Sequence, residues 1–292
     1  MDHGTVFKIG TFFCRIEQDF SSDFFNLWSN RVEPYLVEPI ESENMITISY
    51  REKIFPEKRT FLKSESSGFF ASYITKDCND TIYFQYIRKS NQKVYVTFSA
   101  ERDYREICLL EDNTNSYRVF PFEYVGQIIP FSALTFKILT LHAVLMEYDG
   151  RGIILSAPSG TGKSTHAHFW RDCYRALIIN GDRALCGKKN GIWTGYGMPW
   201  CGSSGEYINR DVPIRAIVVL QQAEENEVRL LTPLEGFQRM YENLVLPQWD
   251  KDKVNQGLDL FDDMLANIPV YLLKCRPEAE AAAVLKREID KL

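Results

Sequence analysis

The chain has 292 residues, of which 45% are hydrophobic and 25% are charged. These fractions are typical of a globular protein, and they exclude a disordered or collagen-like chain. The length allows two domains or one large one. Because 34 basic residues stand against 39 acidic ones, the formal net charge is −5. This balance argues against a protein that coats nucleic acid, since binding to phosphate backbones requires a basic surface.

Three further features bear on the cellular location. No apolar run approaches the roughly 18–20 residues of a membrane-spanning helix. The N-terminal residues lack the basic region, apolar core and cleavage site of a signal peptide. The seven cysteines are scattered and form no Cys-x-x-Cys pair, which predicts neither a disulfide framework nor a structural zinc site. We therefore expect a cytoplasmic protein with neither a membrane nor a nucleic-acid partner.

Residues 1–130 predict a β-rich N-terminal domain. Aromatic and β-branched residues alternate there in short runs separated by Asn, Asp, Ser and Gly, which is typical of antiparallel strands. A turn is predicted at residues 90–93. The predicted strands include residues 5–13, 45–50, 81–88 and 93–99. No chemical motif occurs in this half, so its role is not predicted.

Residues 131–292 predict an α/β domain, since strand-like and helix-like segments alternate. The first segment, 132–143, has apolar residues at helical spacing after Pro130, with Ser132 as a candidate N-cap. Two strand-like runs follow and meet at a turn near residue 150. Further predicted strands cover residues 153–156, 176–181, 214–222 and 270–275, and further predicted helices follow residue 163 and cover 232–245 and 277–289.

The strongest signal is a glycine-rich loop between a predicted strand and a predicted helix. Residues 157–164 match the P-loop pattern, with Ala157 in place of the first glycine. Such a loop turns its backbone N–H groups onto phosphates at a helix N-terminus. Lys163 is expected to reach the β- and γ-phosphates, and the Ser164 hydroxyl to bind Mg²⁺. The predicted nucleotide-binding residues are Ala157, Pro158, Ser159, Gly160, Thr161, Gly162, Lys163, Ser164, Thr165 and Arg210.

A P-loop needs an acidic partner for Mg²⁺, often at the end of a neighbouring buried strand. Asp182 directly follows the apolar run 176–181 and is the candidate, although Asn-Gly-Asp is also a common turn sequence. Arg183 beside it is either a phosphate contact or a surface charge. The glycine-rich segment 191–210 either shapes a pocket, with Arg210 as its anion-binding side chain, or forms hairpins whose tryptophans pack on the core.

The histidines carry less information. His166 and His168 are two residues apart on the predicted helix, so they do not share a face and a metal-binding pair is not expected. His142 lies ahead of the strand that feeds the loop, where a functional and a structural histidine are both compatible with the spacing.

The ordered set of these residues resembles the HPr kinase/phosphorylase family, in the superfamily that includes the ATP-dependent phosphoenolpyruvate carboxykinases. The resemblance is carried by His142, the loop 159–164, the strand ending in Asp182, and the segment 195–202 before the strand 215–222. It implies a C-terminal kinase-like domain with a mixed sheet, ATP and Mg²⁺ as cofactors, and possible homo-oligomers.

Several positions depart from the pattern of that family. Gly181 stands where the family has the first residue of an Asp-Asp pair, and in the family this first Asp is thought to serve as base. Thr194 replaces the Arg of an Arg-Gly-x-Gly segment, and Thr165 follows Ser164 where those kinases usually have Glu. The remaining Asp182 must therefore hold Mg²⁺ or act as base, or another residue must supply the missing role.

These residues lead to a main hypothesis and two alternatives. In the main one, the chain is an ATP- and Mg²⁺-dependent kinase that phosphorylates a hydroxyl group, that of a serine in a peptide or small protein. Asp182, His142 and Lys163 are then the candidate catalytic residues, and Ser164 and Asp182 are the candidate metal ligands. The alternatives are a nucleotide-binding sensor that has lost catalysis and a carboxykinase-related enzyme that acts on oxaloacetate.

Overall fold

The computed structural model describes residues 4–17, 30–50, 56, 58–67, 70–91, 93–112 and 120–292. The chain divides into two compact units, residues 1–136 and 137–292. Both contain an extensive sheet, and helices are concentrated in the second, so the protein is α/β with a strand-rich N-terminal region. Within the described residues, no helix has the length and apolar character required to cross a membrane.

The first unit is built on one eight-stranded sheet in the order β1-β2-β3-β8-β7-β6-β5-β4. Most neighbours are antiparallel, as predicted, but β3 runs parallel to both β2 and β8. The strands are β1 Thr5–Ile9, β2 Phe12–Ile16, β3 Met45–Tyr50, β4 Thr60–Ser67, β5 Phe70–Lys76, β6 Ile82–Arg88, β7 Lys93–Glu101 and β8 Glu106–Asp112, with a 3₁₀ helix at Glu33–Tyr35.

Two details of the first unit differ from the prediction. The predicted strand 5–13 is a hairpin, because Gly10 adopts a φ of +52° and reverses the chain between β1 and β2. Strands β4, β5 and β8 are not among the strands named from the sequence. The predicted turn at residues 90–93 joins the antiparallel strands β6 and β7, although residue 92 lies outside the described residues.

The segment predicted as a helix over 132–143 is the largest error. Helix α1, Phe120–Thr135, contains Pro130 and ends in the first half of the segment that was predicted to be helical. Lys137 has a φ of +59°, and the chain continues as a strand from residue 138. The apolar run beyond it is buried on both faces, so helical and strand periodicity could not be separated in the sequence.

Two consequences follow from this error. Ser132 is not an N-cap; it lies buried inside α1, where its hydroxyl donates to the Tyr104 carbonyl over 2.6 Å. The domain division at residues 130 and 131 stays a prediction, and the structure places both residues inside α1.

The second unit alternates strands and helices along much of its length. Its strands are β9 Ile138–Tyr148, β10 Arg151–Ser156, β11 Leu177–Asn180, β12 Arg183–Lys189, β13 Ile192–Tyr196, β14 Asp211–Gln222, β15 Glu227–Leu230 and β16 Val270–Cys275. Its helices are α2 Lys163–Tyr174, α3 Pro233–Met240, α4 Lys251–Asn267 and α5 Ala279–Ile289, with a 3₁₀ helix at Tyr241–Asn243. Helix α4 was not predicted, and the helix predicted over 232–245 ends early.

Two long strands organise the second unit. The first half of β9 pairs with β12, and its second half pairs with β10 and β11. The start of β14 pairs with β13, and its later residues pair in parallel with β10 and β16. Because β10, β14 and β16 are parallel, their carboxyl ends meet at one edge of the sheet, which is where ligands bind in α/β folds.

Helices α2 and α5 cover the core beside β10. Trp170 of α2 is fully buried in a cluster with Leu155 of β10 and Leu285 of α5. Burial of a large apolar side chain contributes roughly 2–3 kcal/mol. The helix that follows the glycine-rich loop is therefore held firmly against the sheet, and the loop at its N-terminus is fixed at both ends.

Candidate functional site

The glycine-rich loop, residues 157–162, connects β10 to the first residue of α2. Gly160 and Gly162 have φ values of +77° and +111°, which L-residues rarely adopt. A side chain built at either position would meet no atom within 4 Å. The glycines are thus required by backbone conformation, and the space in front of them is open. A loop of this shape directs backbone N–H groups toward an anion at the helix N-terminus.

Lys163 lies under this loop at the first position of α2. Its side chain is buried, and its Nζ donates to the Ala157 carbonyl over 2.9 Å. Burial lowers the pKa of Lys163 below its usual value, while the negative charge of Asp182 acts in the opposite direction. A buried ammonium group is stabilised further when an anion binds in the loop beside it.

The strand register brings His142 to the start of the loop. Ser156, the last residue of β10, pairs with Ala143 of β9, so His142 lies next to the position of Ala157. On its other side, His142 pairs with Arg183 at the start of β12. His142 therefore lies between the loop and the turn that carries Asp182, on a strand rather than on the predicted helix.

Asp182 and His142 are in contact. Asp182 Oδ1 is 3.4 Å from His142 Nε2, and Oδ2 is 3.4 Å from Arg183 Nε. The hydrogen bond from His142 lowers the pKa of Asp182 most, and the charges of Arg183 and Lys163 act in the same direction. These effects outweigh partial burial, so Asp182 is ionised at neutral pH.

Asn180, which sequence analysis missed, fixes this turn. It is fully buried, and its Oδ1 accepts from the backbone N–H groups of Asp182 and Arg183 over 3.1 and 2.8 Å. Its amide N–H groups donate to the Met198 and Trp200 carbonyls. An Asn just before a turn was its only signal in the sequence. One side chain thus ties the acidic turn to the glycine-rich segment 195–202.

The donors near the loop fit a magnesium ion bound together with a nucleotide. Ser164 presents an exposed hydroxyl in the first turn of α2, and Asp182 supplies an ionised carboxylate. Among the described residues, no three His, Cys, Asp or Glu side chains form a metal-binding cluster. Mg²⁺ usually takes one or two protein oxygens together with phosphate oxygens and water, and Ser164 and Asp182 are oxygen ligands of that kind.

The position of Gly181 is closed to a side chain. A Cβ atom there would lie 2.4 Å from Ser204 Oγ and 2.6 Å from Ser204 Cβ. The segment after residue 202 is held against this turn, because the Gly181 N–H donates to the Glu206 carbonyl over 3.0 Å. The same Cβ position is 3.4 Å from Glu206 Oε2. Ser204 and Glu206 therefore occupy the space that a second aspartate would need.

The two histidines on α2 have separate environments. His168 Nε2 lies 3.1 Å from Glu206 Oε2, and Arg171 Nη1 lies 3.3 Å from Glu206 Oε1. His166 is buried and accepts from Trp170 Nε1 over 3.3 Å, and burial lowers the pKa of His166 to about 4. They do not face each other, in agreement with the helical spacing. The pairing of His168 with Glu206 was not predicted.

Arg210 is bound by a carboxylate. Its Nη2 donates to Glu147 Oε1 over 2.7 Å, and its Nε also contacts Glu147. This bidentate pair neutralises the guanidinium. Its predicted role in anion binding stays a prediction. Thr194, at the position of the family arginine, is buried in β13 and donates to the Ile192 carbonyl.

A groove of about 570 Å³ lies on the other side of the loop, at the carboxyl end of β14. Its lining includes Pro158 to Thr161 of the loop, Val219 to Gln222 of β14, and Arg239 of α3. Val219 pairs with Ser156, so the strand residues that follow it run alongside the loop. Gln222 Nε2 donates to the Thr161 carbonyl over 3.3 Å. The groove is within the size range of small-molecule sites.

Comparison with known proteins gives one family assignment. The family model of the SynChlorMet cassette protein ScmC matches residues 106–282, which is more than half of the chain. The chain belongs to the ScmC family. The match spans the loop, Asp182 and the groove, together with β8 and α1 of the first unit. No curated protein matches the chain.

Among solved structures, the chain is similar to the Hpr(Ser) kinase/phosphatase from Coxiella burnetii, at 13% identity and a TM-score of 0.31. The match covers 52% of this chain and 97% of that one. A likeness this weak supports no conclusion about activity.

Proposed function

We propose that this ScmC family member binds Mg-ATP at the loop 157–164 and transfers the γ-phosphate to a hydroxyl group of a peptide or small protein. The observation that carries the proposal is the convergence of Lys163, the two positive-φ glycines and the His142–Asp182 pair at one edge of the sheet. Enzymatic phosphoryl transfer requires mainly positioning and neutralisation of charge, and these groups supply both.

Each residue has a role in this proposal. The loop N–H groups and the Lys163 ammonium bind the phosphates, and Ser164 and Asp182 hold the magnesium ion. The bound Mg²⁺ neutralises charge that develops on the phosphate oxygens. The lowered pKa of Asp182 makes this carboxylate a weak proton acceptor and a suitable metal ligand. These considerations favour the metal-binding role among those that the sequence leaves open for Asp182.

His142 is then the candidate base. When its Nε2–H donates to Asp182, its Nδ1 carries the lone pair that accepts a proton. The side chain is 40% exposed, so an acceptor hydroxyl can approach it. In the transfer step, the hydroxyl proton passes to His142, the acceptor oxygen bonds to the γ-phosphorus, and the bond from that phosphorus to the bridging oxygen of ADP breaks. The products are ADP, the phosphorylated acceptor and a protonated His142, which releases its proton to solvent before the next turnover.

A nucleotide-binding sensor is the second candidate, and one observation favours it. Ser204 fills the space at Gly181 in which a second aspartate would lie. A chain without catalysis would bind ATP with Mg²⁺ at the same loop and turn over none of it.

The deciding experiment incubates the protein with γ-labelled ATP, Mg²⁺ and a library of serine-containing peptides. We expect label on a subset of the peptides with wild type and none with Lys163→Ala. Arg287→Gln, which removes an exposed charge on α5, is the matched control and should label as wild type does. Label that appears only as free phosphate contradicts transfer. If ATP binds and all of the label stays in ATP, the result supports the sensor.

A further inference from the structure

The groove on the β14 side of the loop is lined by an arginine that donates to a neutral amide. Arg239, in the last turn of α3, lines the same groove as Ser159, Gly160 and Thr161. Its Nη1 donates to the side-chain oxygen of Gln221 over 3.2 Å. Gln221 is a neutral amide. Within the described part of the chain, Arg239 forms no ion pair with a carboxylate.

Two other arginines of the second unit are bound differently. Arg229 donates to Glu235 over 2.7 Å, and Arg210 is held by Glu147. A guanidinium bound to a neutral amide gains more free energy on binding a phosphate than one already paired with a carboxylate. Leaving an amide costs no charge–charge attraction, whereas leaving a carboxylate does.

The helix that carries Arg239 is positioned firmly. Thr232 and Glu235 form a complete capping box at the start of α3, and Pro233 is its first residue. A Cβ atom built at Gly236 of α3 would lie 3.4 Å from Val270 Cγ2 in β16, an ordinary van der Waals distance, so this face of the helix lies close to the sheet. The start and the packed face of α3 are thus fixed, while Arg239 itself is exposed at its last turn.

The strand register links this arginine to the loop. Because Ser156 pairs with Val219 in parallel, Gln221 and Gln222 continue beside the residues of the loop. Gln222 binds the Thr161 carbonyl and Gln221 binds Arg239, so the two amides connect the loop to α3. A phosphate at Ser159 and Gly160 would lie in the groove that Arg239 lines.

We propose that Arg239 binds the terminal phosphate of a nucleoside triphosphate in the loop and makes the site prefer triphosphates over diphosphates. The inference rests on the proposed function, since it requires a nucleotide in the loop. On binding, the guanidinium exchanges the Gln221 amide for the phosphate oxygens. Lys163 approaches the phosphates from beneath the loop and Arg239 from the groove, so the two cations act at different points.

The test is a set of dissociation constants for ATP and ADP with Mg²⁺, measured by equilibrium dialysis. For Arg239→Gln we expect ATP binding to weaken by roughly tenfold to a hundredfold, as for a lost charged hydrogen bond, and ADP binding by about threefold at most. Arg239→Lys should fall between Arg239→Gln and wild type, because a lysine keeps the charge and loses the bidentate geometry. Arg287→Gln should bind both nucleotides as wild type does.

The outcomes separate the two proposals. Equal weakening of ATP and ADP binding in Arg239→Gln, or no weakening of either, overturns the role of Arg239 and leaves the nucleotide site standing. If wild type binds neither nucleotide, the proposed function falls and the inference falls with it. Thermal unfolding without nucleotide shows whether Arg239→Gln is folded, and Arg239→Lys provides the comparison if it is not.

Discussion

The two sides of the glycine-rich loop differ in how their charges are balanced. On the β9 side, the Asp182 carboxylate lies between the His142 ring and the Arg183 guanidinium, and both contact it. On the β14 side, Arg239 lines a groove and donates to a neutral amide, and it forms no ion pair with a carboxylate among the described residues. Paired groups are oriented before a ligand arrives, whereas an unpaired cation is available to an incoming anion. The first side is suited to holding a metal ion and moving a proton, and the second to binding phosphate.

The largest effect is expected on the paired side. Asp182→Asn removes the carboxylate charge that the proposal assigns to the metal ion, and it leaves only a weaker, neutral acceptor for His142. We expect γ-phosphate transfer to fall by on the order of 100-fold or more. Asp149→Asn is the matched control, since Asp149 is an exposed turn residue with a φ of +51°, which Asn also tolerates. Transfer that survives in Asp182→Asn at the wild-type rate would remove Asp182 from the site.

The same pair of variants tests the charge balance through stability. Since the pKa of Asp182 is lowered in the folded state, its ionised form stabilises the protein above its ordinary pKa of about 3.9, and this contribution is lost as the pH falls through the lower folded value. Urea unfolding from pH 5 to pH 3 should therefore show a smaller loss of stability in Asp182→Asn than in Asp149→Asn. Equal losses would mean that Asp182 has no special environment.

A smaller effect is expected at the closed position beside Asp182. Gly181→Asp would force a side chain onto Ser204, and overpacking of this kind costs about 1–3 kcal/mol. Ser204→Gly opens the space, so the double variant should be more stable than the sum of the single changes predicts. The measurement is urea unfolding of the four members of the cycle. Strict additivity would show that Ser204 does not close this position.

The double variant also distinguishes the two candidate functions. It adds the second carboxylate beside Asp182 without the collision. A sensor that lost catalysis through this position should gain transfer of γ-phosphate, and an enzyme that already uses His142 as base should gain little.

The smallest effect concerns the helix that presents Arg239. Thr232→Ala removes the side-chain cap of α3 and should lower the free energy of unfolding by about 1 kcal/mol, within a range of about 0.5–2. Hydrogen bonds from Arg229 and from the Thr232 backbone lower the pKa of Glu235 to about 2. The contribution of the capping box is thus present above pH 4.5 and is lost as the pH falls toward 2. A cap that contributes nothing would leave the unfolding midpoint of Thr232→Ala unchanged.

The sequence predicted the parts of the site that local chemistry determines. The glycine-rich loop and the cap at Thr232 lie where the pattern put them, because turn conformations and helix ends are specified by adjacent residues. The segment 132–143 was wrongly predicted as a helix, because a run that is buried on both faces shows neither a helical nor a strand periodicity. This error concealed the pairing that places His142 beside the loop.

The remaining residues depend on strand register. Glu206 contacts His168 only because the segment that carries it packs on Gly181. Arg239 lines the same groove as the loop because β14 runs parallel to β10, and no local pattern in the sequence marks it. Such contacts join distant segments, and local patterns in one sequence do not reveal which strand lies next to which.

The most direct test of the nucleotide site is thermal unfolding of wild type and Lys163→Ala, each with and without Mg-ATP. A ligand at 100 times its dissociation constant stabilises a protein by about 2.7 kcal/mol, which corresponds to several degrees in a chain of this size. We expect this shift in wild type and its loss in Lys163→Ala. An equal shift in both proteins would place the nucleotide elsewhere, and no shift in either would contradict a nucleotide site at this loop.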